Sequence, residues 1–309
     1  MNRRTTLGVL GAVVAAPFTG VARAADAIRC AAPALDPTAL MFYANENGFF
    51  KNAGMNVEVQ AMSNGQAVTL AVAGNAIDVG CAEVVSLILA FRRGVPITLI
   101  ASGGTQTRKA PAGLLFAKND LPATTGRDFN GTTLAVVGLN GFAQFGTQLW
   151  IDKTGGDSKT VKFVQLAGAQ IGVALQDGRV DGAFVPEPFV SAVKKVARPV
   201  ANSMAAIAPQ FLSSPHFTTV PFAKAHADDI RRFQAVIKQT AEWANKNPEQ
   251  SALVLEKVAR VAPEIVQAAT RAYYGDLLDP ASLQPMIDMT AKYGNFPSFP
   301  AAEMIYKVS

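Results

Sequence analysis

From residue 27 onward, short apolar runs alternate with longer stretches whose apolar residues recur three and four apart. The first pattern reads as buried strands and the second as amphipathic helices. AIRCAAPAL (27–35) is then a strand, and TALMFYANENGFFKNAG (38–54) a helix ending at Gly54. MNVEVQAM is a second strand, and SNGQAVTLAVAG a short helix capped by Ser63 or Asn64 and ended by Gly74. AIDVGCAE, VVSLILAFRRG and VPITLIAS follow as strand, helix and strand, with Arg92 and Arg93 at the helix's negative end. The pattern then restarts: GLLFAKN, GTTLAVVG, VKFVQL and RVDGAFV are strands, while GFAQFGTQLWIDKTGG and AGAQIGVALQDG are helices. Such alternation predicts parallel βα units and an α/β fold.

The restart carries a weak internal echo. Gln66 precedes Gly74 by eight residues and Gln170 precedes Gly178 by eight, and the pairs Ile77-Asp78 and Val180-Asp181 follow. The same helix, stop and buried strand thus occurs once in each half. Beyond PHFTTVPFAKAH, four helices are predicted: DDIRRFQAVIKQTAEWANKN, PEQSALVLEKVARV, PEIVQAATRAYYG and ASLQPMIDMTAKYG, separated by Pro and Gly breaks. A block of helices needs a surface to pack on. The simplest topology has the chain leave a first lobe near Pro111, build a second over 112–215, and return near His216, so that 25–111 and 216–309 form one lobe.

At 309 residues, half of them hydrophobic, the chain buries a large core and is long enough for two domains. Residues 1–24 read as an export signal: Arg3 and Arg4, an apolar stretch from Leu7 to Phe18, and Ala22-Arg23-Ala24 as cleavage site. That stretch is too short to span a bilayer, and the arginine pair leaves both the general and the twin-arginine routes open. Cleavage near Ala24 predicts a periplasmic protein. It also lowers Lys+Arg from 28 to 25 against 23 acids, so the working chain is near +2 and its pI of about 9.2 overstates its basicity. With no long basic run, nucleic acid is not an expected partner. Export permits a disulfide between Cys30 and Cys81, but spacing alone leaves a bridge and two buried thiols both open.

Only two histidines occur, His216 and His226, which excludes HExxH and His-rich metal sites. There is no G-x-S-x-G elbow, no phosphate-binding G-x-x-x-x-G-K-[ST] loop and no C-x-x-C pair, and the glycines at 138, 141 and 146 miss the dinucleotide spacing. No cofactor and no metal are implied. SNGQA (63–67) and GLNGFAQ (138–144) each place a loosened helix start at a strand's end, where free N–H groups suit an anion or polar ligand. One such start per lobe points to a shared cleft, since open α/β sheets bind at strand carboxyl ends. In DGRVDGAFVPEP (177–188) the three acids come from a helix end, a strand and a proline-bounded loop. Catalytic carboxyls must converge on one bond from a fixed frame, so Asp181 reads as structural and Glu187 as a cleft-edge residue.

Four segments together resemble the periplasmic substrate-binding proteins of ABC importers for nitrate, sulfonates, taurine and thiamine-pyrimidine compounds: ANENGFFKNAGMNVEVQ, AVAGNAIDVGCAE, DFNGTTLAVVG and LQDGRVDGAFVPEPF. The resemblance implies a two-lobed type II periplasmic-binding fold with two hinge crossings and a non-enzymatic role. A small-molecule ligand is then captured between the lobes and delivered to a membrane permease with its ATPase by a monomer that meets the membrane only through that permease. It implies as ligand-binding loops Leu35 and Asp36, with Ala34 before them; Asn64, Gly65 and Gln66; Glu83 and Val84; Leu139, Asn140, Gly141 and Phe142; and Glu187 opposite. No arginine falls in these loops, so sulfonate, taurine-like, nitrate-like, aromatic carboxylate and pyrimidine ligands all stay open. Phe42, Tyr43, Phe142 and Phe145 read either as a stacking wall or as core. The alternatives on the same fold are a ligand-binding sensor domain and an enzyme similar to the pyrimidine-precursor synthases.

Overall fold

The computed structural model describes residues 27–276 and 278–307. The expected export signal lies outside the described residues. The chain is α/β with two sheets. The first third runs β1 (Ile28–Pro33), α1 (Leu40–Glu46), α2 (Phe49–Asn52), β2 (Val57–Met62), α3 (Gly65–Ala73), β3 (Val79–Cys81), α4 (Val84–Arg92) and β4 (Ile97–Thr107). The second lobe runs β5 (Gly113–Ala117), β6 (Thr133–Val136), α5 (Phe142–Lys153), β7 (Lys162–Gln165), α6 (Gly168–Gln176), β8 (Gly182–Pro186), α7 (Val190–Val193) and β9 (Arg198–Ala201). The chain returns through β10 (Gln210–Thr219), α8 (Val220–Ala225), α9 (Ala227–Lys246), α10 (Pro248–Ala259), α11 (Pro263–Ala268), β11 (Tyr273–Tyr274) and α12 (Pro280–Gly294).

The sheets are ordered β11-β4-β10-β3-β1-β2 and β7-β6-β8-β5-β9. In each, the first strand lies between the second and third and runs parallel to both, and an antiparallel strand closes the third strand's other edge. The echo in the sequence is therefore an echo of whole lobes, although in a register one residue from the glycines that signalled it. Asn75, at φ 58°, stands where Gly178, at φ 68°, stands in the other lobe; Gly74, at φ −88°, is an ordinary helix end. A left-handed residue suits Gly at no cost and Asn at little, which is why either serves as the stop.

The two aspartates of the echo do the same work. Asp78 Oδ2 accepts from the Arg29 N–H at 2.8 Å, and its own N–H donates to Arg29 O. Asp181 Oδ2 accepts from the Thr133 N–H at 2.9 Å, and its N–H donates to Thr133 O. Each clamps the start of its lobe's third strand to the first, and each pairs with a base, Arg29 at 2.6 Å and Lys118 at 3.1 Å.

Three elements depart from the pattern read off the chain. The return strand β10 begins at Gln210, so His216 lies inside a strand of the first sheet and the crossing comes earlier than predicted. Pro215 breaks the run's alternation, and the strand accommodates it at register shifts on either side of Ser214. The helix predicted over 263–275 stops at Ala268, because Arg271 to Tyr274 are drawn away by tertiary partners described below. The predicted helix 38–54 is two, with Gly48 between them.

Apolar clusters cover both faces of both sheets. One joins the lobes: α4 and α12 residues such as Leu87 and Met286 share it with Val136, Phe145, Phe184 and Met204 of the second lobe. Cys30 and Cys81 are buried free thiols, so of the two readings the bridge is the one the structure overturns. Cys30 stands opposite Val79 on the neighbouring strand, two residues short of Cys81.

Candidate functional site

The turns that leave the strand ends face each other between the lobes. On one side are the loop after β1, with Leu35 and Asp36, the start of α3, and the turn from β3 into α4 at Glu83. On the other are the loop after β6, with Leu139 to Phe142, and the loop after β8 at Glu187. The structure brings four of these together around one carboxylate. Glu83 Oε2 accepts from the Phe142 N–H, the first residue of α5, at 3.2 Å. A Cβ on Gly141 would lie 3.4 Å from Glu83 Oε1, and one on Gly65 would lie 3.1 Å from Ala82 Cβ. Burial pushes the Glu83 carboxyl up to about 7, with the Phe142 and Ser86 N–H groups pulling the other way.

Glu187 makes the reciprocal contact. Its Oε1 accepts from the Thr270 N–H of the returning chain at 3.0 Å, and nearby Ser191 Oγ donates to Ala268 O at 2.9 Å. Burial raises this carboxyl too, and the Thr270 and Val190 groups and the exposed Lys194 lower it by less. Each lobe thus sends an acid from the end of its third strand to a backbone N–H of the other. Behind them, Tyr293 OH and Lys292 Nζ on α12 reach Asp152 on α5 at 2.7 and 3.1 Å.

Asp36 is placed differently from the other acids. It is a quarter-turn of chain past β1, yet five donors converge on its carboxylate: Tyr43 OH, Tyr274 OH, Arg271 Nε and Nη2, and the Ala272 N–H. Arg271 and Asp36 are 19% and 10% exposed and form a pair at 2.7 Å. This network ties the returning tail to the first strand's loop, and it holds Tyr273 and Tyr274 extended against Thr105 and Gly104 of β4. The signal for it, an Arg-Ala-Tyr-Tyr run, was absorbed in the sequence by a helical pattern. Burial raises both tyrosine hydroxyls well above their ordinary range.

The remaining candidates divide. Leu35 and Leu139 stand at matching places in the two lobes and are 50% and 40% exposed, large apolar side chains on opposite sides of the cleft. Asn64 caps α3 through the Ala67 N–H, Asn140 is left-handed and donates its N–H to Gln144 Oε1, and Gln66 is exposed. Val84 is fully buried, as are Tyr43 and, nearly so, Phe42 and Phe145; these belong to the core and not to a stacking wall. Phe142 remains partly buried, with Phe184 and Phe211 at 6.5 and 6.1 Å. The expectation of unsatisfied N–H groups at both helix starts is corrected: at α5 Glu83 already bonds the Phe142 N–H, and at α3 Asn64 bonds that of Ala67. Among the described residues no group of three or more His, Cys, Asp or Glu is placed to hold a metal ion, and no helix is long and apolar enough to cross a membrane.

The family profile for NMT1/THI5-like proteins matches residues 37–251, from the loop after β1 into α10. The chain belongs to the NMT1/THI5-like family. None of the curated proteins matches the sequence. Among solved structures, the chain is similar to the periplasmic aliphatic sulphonate-binding protein SsuA of Escherichia coli, with TM-score 0.76 and 16% identity over 93% of this chain and 94% of that one. It is similar to a ligand-binding component of an ABC-type import system from Staphylococcus aureus, with TM-score 0.76 and 14% identity over 92% and 99% of the two chains. It is also similar to the alkanesulfonate-binding SsuA of Xanthomonas axonopodis pv. citri bound to MOPS, with TM-score 0.72 and 16% identity over 90% and 97%. At these identities the likeness carries the fold: this NMT1/THI5-like chain has the two-lobed periplasmic-binding-protein architecture.

Proposed function

We propose that this chain is the extracytoplasmic solute-binding component of an ABC import system, a monomer that captures one small organic solute between its lobes and delivers it, unaltered, to a membrane permease with its ATPase. The reading rests chiefly on one observation: Glu83 and Glu187, each at the exit of its lobe's third strand, hydrogen-bond across the cleft to the opposite lobe. Two lobes joined by two crossings and held by so few polar bonds form a clamp, whose equilibrium a ligand touching both sides biases toward closure. The family and the sulfonate-binding neighbours support the same reading.

In this account the lobes divide near Pro111 and at the start of β10. Leu35, Asn64 to Gln66, Glu83, Leu139 to Phe142 and Glu187 border the solute, while Asp36 holds the loop that carries Leu35. The solutes to be separated are sulfonates, taurine-like and nitrate-like anions, aromatic carboxylates and pyrimidines. A periplasmic location follows if residues 1–24 direct export. A thermal-shift screen of these classes on the protein lacking residues 1–24 tests the proposal: one class raises the melting temperature in proportion to the logarithm of its concentration, with no product formed. Turnover of a hit would overturn it.

A further inference from the structure

Beside the crossing segments, where the cleft ends, a pocket of about 360 Å³, solvent mouth included, is lined by Asp36, Thr105, Gln106, Glu187, Ser213 and Thr270 among others. Both lobes and the crossing contribute to it, so a group bound there touches every part of the clamp. Its hydrogen-bonding capacity is lopsided. Gln106 donates through Nε2 to Thr107 O and accepts through Oε1 from the Ala112 N–H. Ser213 Oγ donates to Gly104 O, and Thr105 Oγ1 donates to Gly103 O while accepting from the Gly275 N–H. The Asp36 carboxylate already takes its five donors. The side-chain donors of Gln106, Ser213 and Thr105 are committed, whereas one acceptor is not: Glu187 Oε2 is buried with no partner at hydrogen-bonding distance.

A buried carboxylate oxygen without a donor is costly and uncommon in folded proteins, and what relieves it is a donor brought from outside. The charge balance agrees. No Lys or Arg occurs in the loops that leave β1, β2, β3, β6, β7 or β8 toward the cleft. Arg271, adjacent to Thr270 in the chain, is bound to Asp36, Pro248 O and Tyr43 OH. At α5, where an anion would look for N–H groups, a carboxylate is already seated. An amine-free sulfonate or nitrate would meet Glu83 and Glu187 with no countercharge, while an amine meets an empty acceptor. Across the cleft, Leu35 and Leu139 offer apolar surface to the rest of such a molecule.

We propose that the solute of this cleft presents an N–H donor, an amine or the amino group of a ring, to Glu187 in this pocket, lays an apolar body between Leu35 and Leu139, and that nitrate and amine-free sulfonates are rejected. The inference rests on the solute-binding reading above and narrows it. Matched probes test it by calorimetry on the protein lacking residues 1–24: n-butylamine and 4-aminopyrimidine against butane-1-sulfonate and nitrate. At least one amine probe binds with a stoichiometry of one, and neither anion binds. Glu187→Gln keeps an acceptor for the Thr270 N–H but can place an amide donor where the free acceptor was. It weakens the amine probe by about tenfold or more without lowering the melting temperature.

Three results overturn the inference: butane-1-sulfonate or nitrate binding more tightly than both amines, no binding of either amine, or an undiminished amine affinity in Glu187→Gln, which would mean that the oxygen serves only a water. The wild-type probe series decides the matter even where the variant does not fold. Binding of an anionic probe would leave the solute-binding reading standing, and only the failure of every solute in a broad small-molecule extract would remove that reading too.

Discussion

The carboxylate of Asp36 offers the sharpest test of how the returning tail is fixed. Asp36→Ala removes the acceptor for five donors and leaves the Arg271 guanidinium, 19% exposed, without its countercharge. Breaking a buried pair by deleting one partner costs about 3–5 kcal/mol; because Arg271 keeps Pro248 O and some access to water, the lower end applies, about 3 kcal/mol. For a chain of this size that corresponds to a fall in Tm of roughly 6–10 °C. Urea unfolding at 25 °C, followed by far-ultraviolet circular dichroism, reads the loss directly. Asp36→Asn, which keeps the shape and part of the accepting capacity, should fall between the two. The exposed pair Lys238–Asp276, at 2.5 Å, supplies the contrast: Asp276→Asn should leave the midpoint unchanged, as exposed pairs generally do. An Asp36→Ala protein within about 1 kcal/mol of wild type would refute the argument that this network, and not the helical propensity of the tail, decides the conformation of residues 269–274.

The Glu83 carboxyl, raised from 4.5 to about 7, makes the folded protein hold a proton that the unfolded chain releases, so its contribution to stability is full below about pH 4.5 and is lost as pH rises to 7; Glu83→Gln should remove that slope from unfolding curves taken between pH 4.5 and 7.5. Gly104→Ala would place a Cβ 2.5 Å from Pro37 O, a backbone atom that cannot swing away, and should cost about 1–3 kcal/mol, whereas Gly138→Ala meets nothing within 4 Å and should melt with the wild type. Cys30 and Cys81 are fully buried, and burial raises both thiols. A thiol-specific chromogenic reagent at pH 8 should therefore find none in the native protein and two per chain in denaturant without reductant; none in denaturant would reveal a disulfide.

The sequence shows most of what is local and parallel. The alternation of apolar runs with helical ones, the helix stops near 75 and 178 and the aspartates that follow them are features of short stretches, and each lobe repeats them in the same order. It conceals what depends on partners far along the chain. QFLSSPHFTT contains a proline and no clean alternation, and becomes β10 only because β4 and β3, more than a hundred residues earlier, flank it on both edges. The tail Arg271 to Tyr274 reads as helix and is extended because Asp36, 235 residues away, takes its donors. The site follows the same division. Placement of Glu83 and Glu187 at strand exits was legible from strand ends and proline brackets. Which oxygen lacks a partner was not, because that depends on where Thr270 and the donors of Gln106, Ser213 and Thr105 are already engaged.

The account stands or falls most directly on native mass spectrometry of the protein lacking residues 1–24 after exposure to a small-molecule extract. The predicted spectrum shows a single adduct of one small organic molecule per chain, released on unfolding with its mass unchanged. An absence of any adduct, or the release of a compound altered from the one that bound, would contradict a solute carrier held between two lobes.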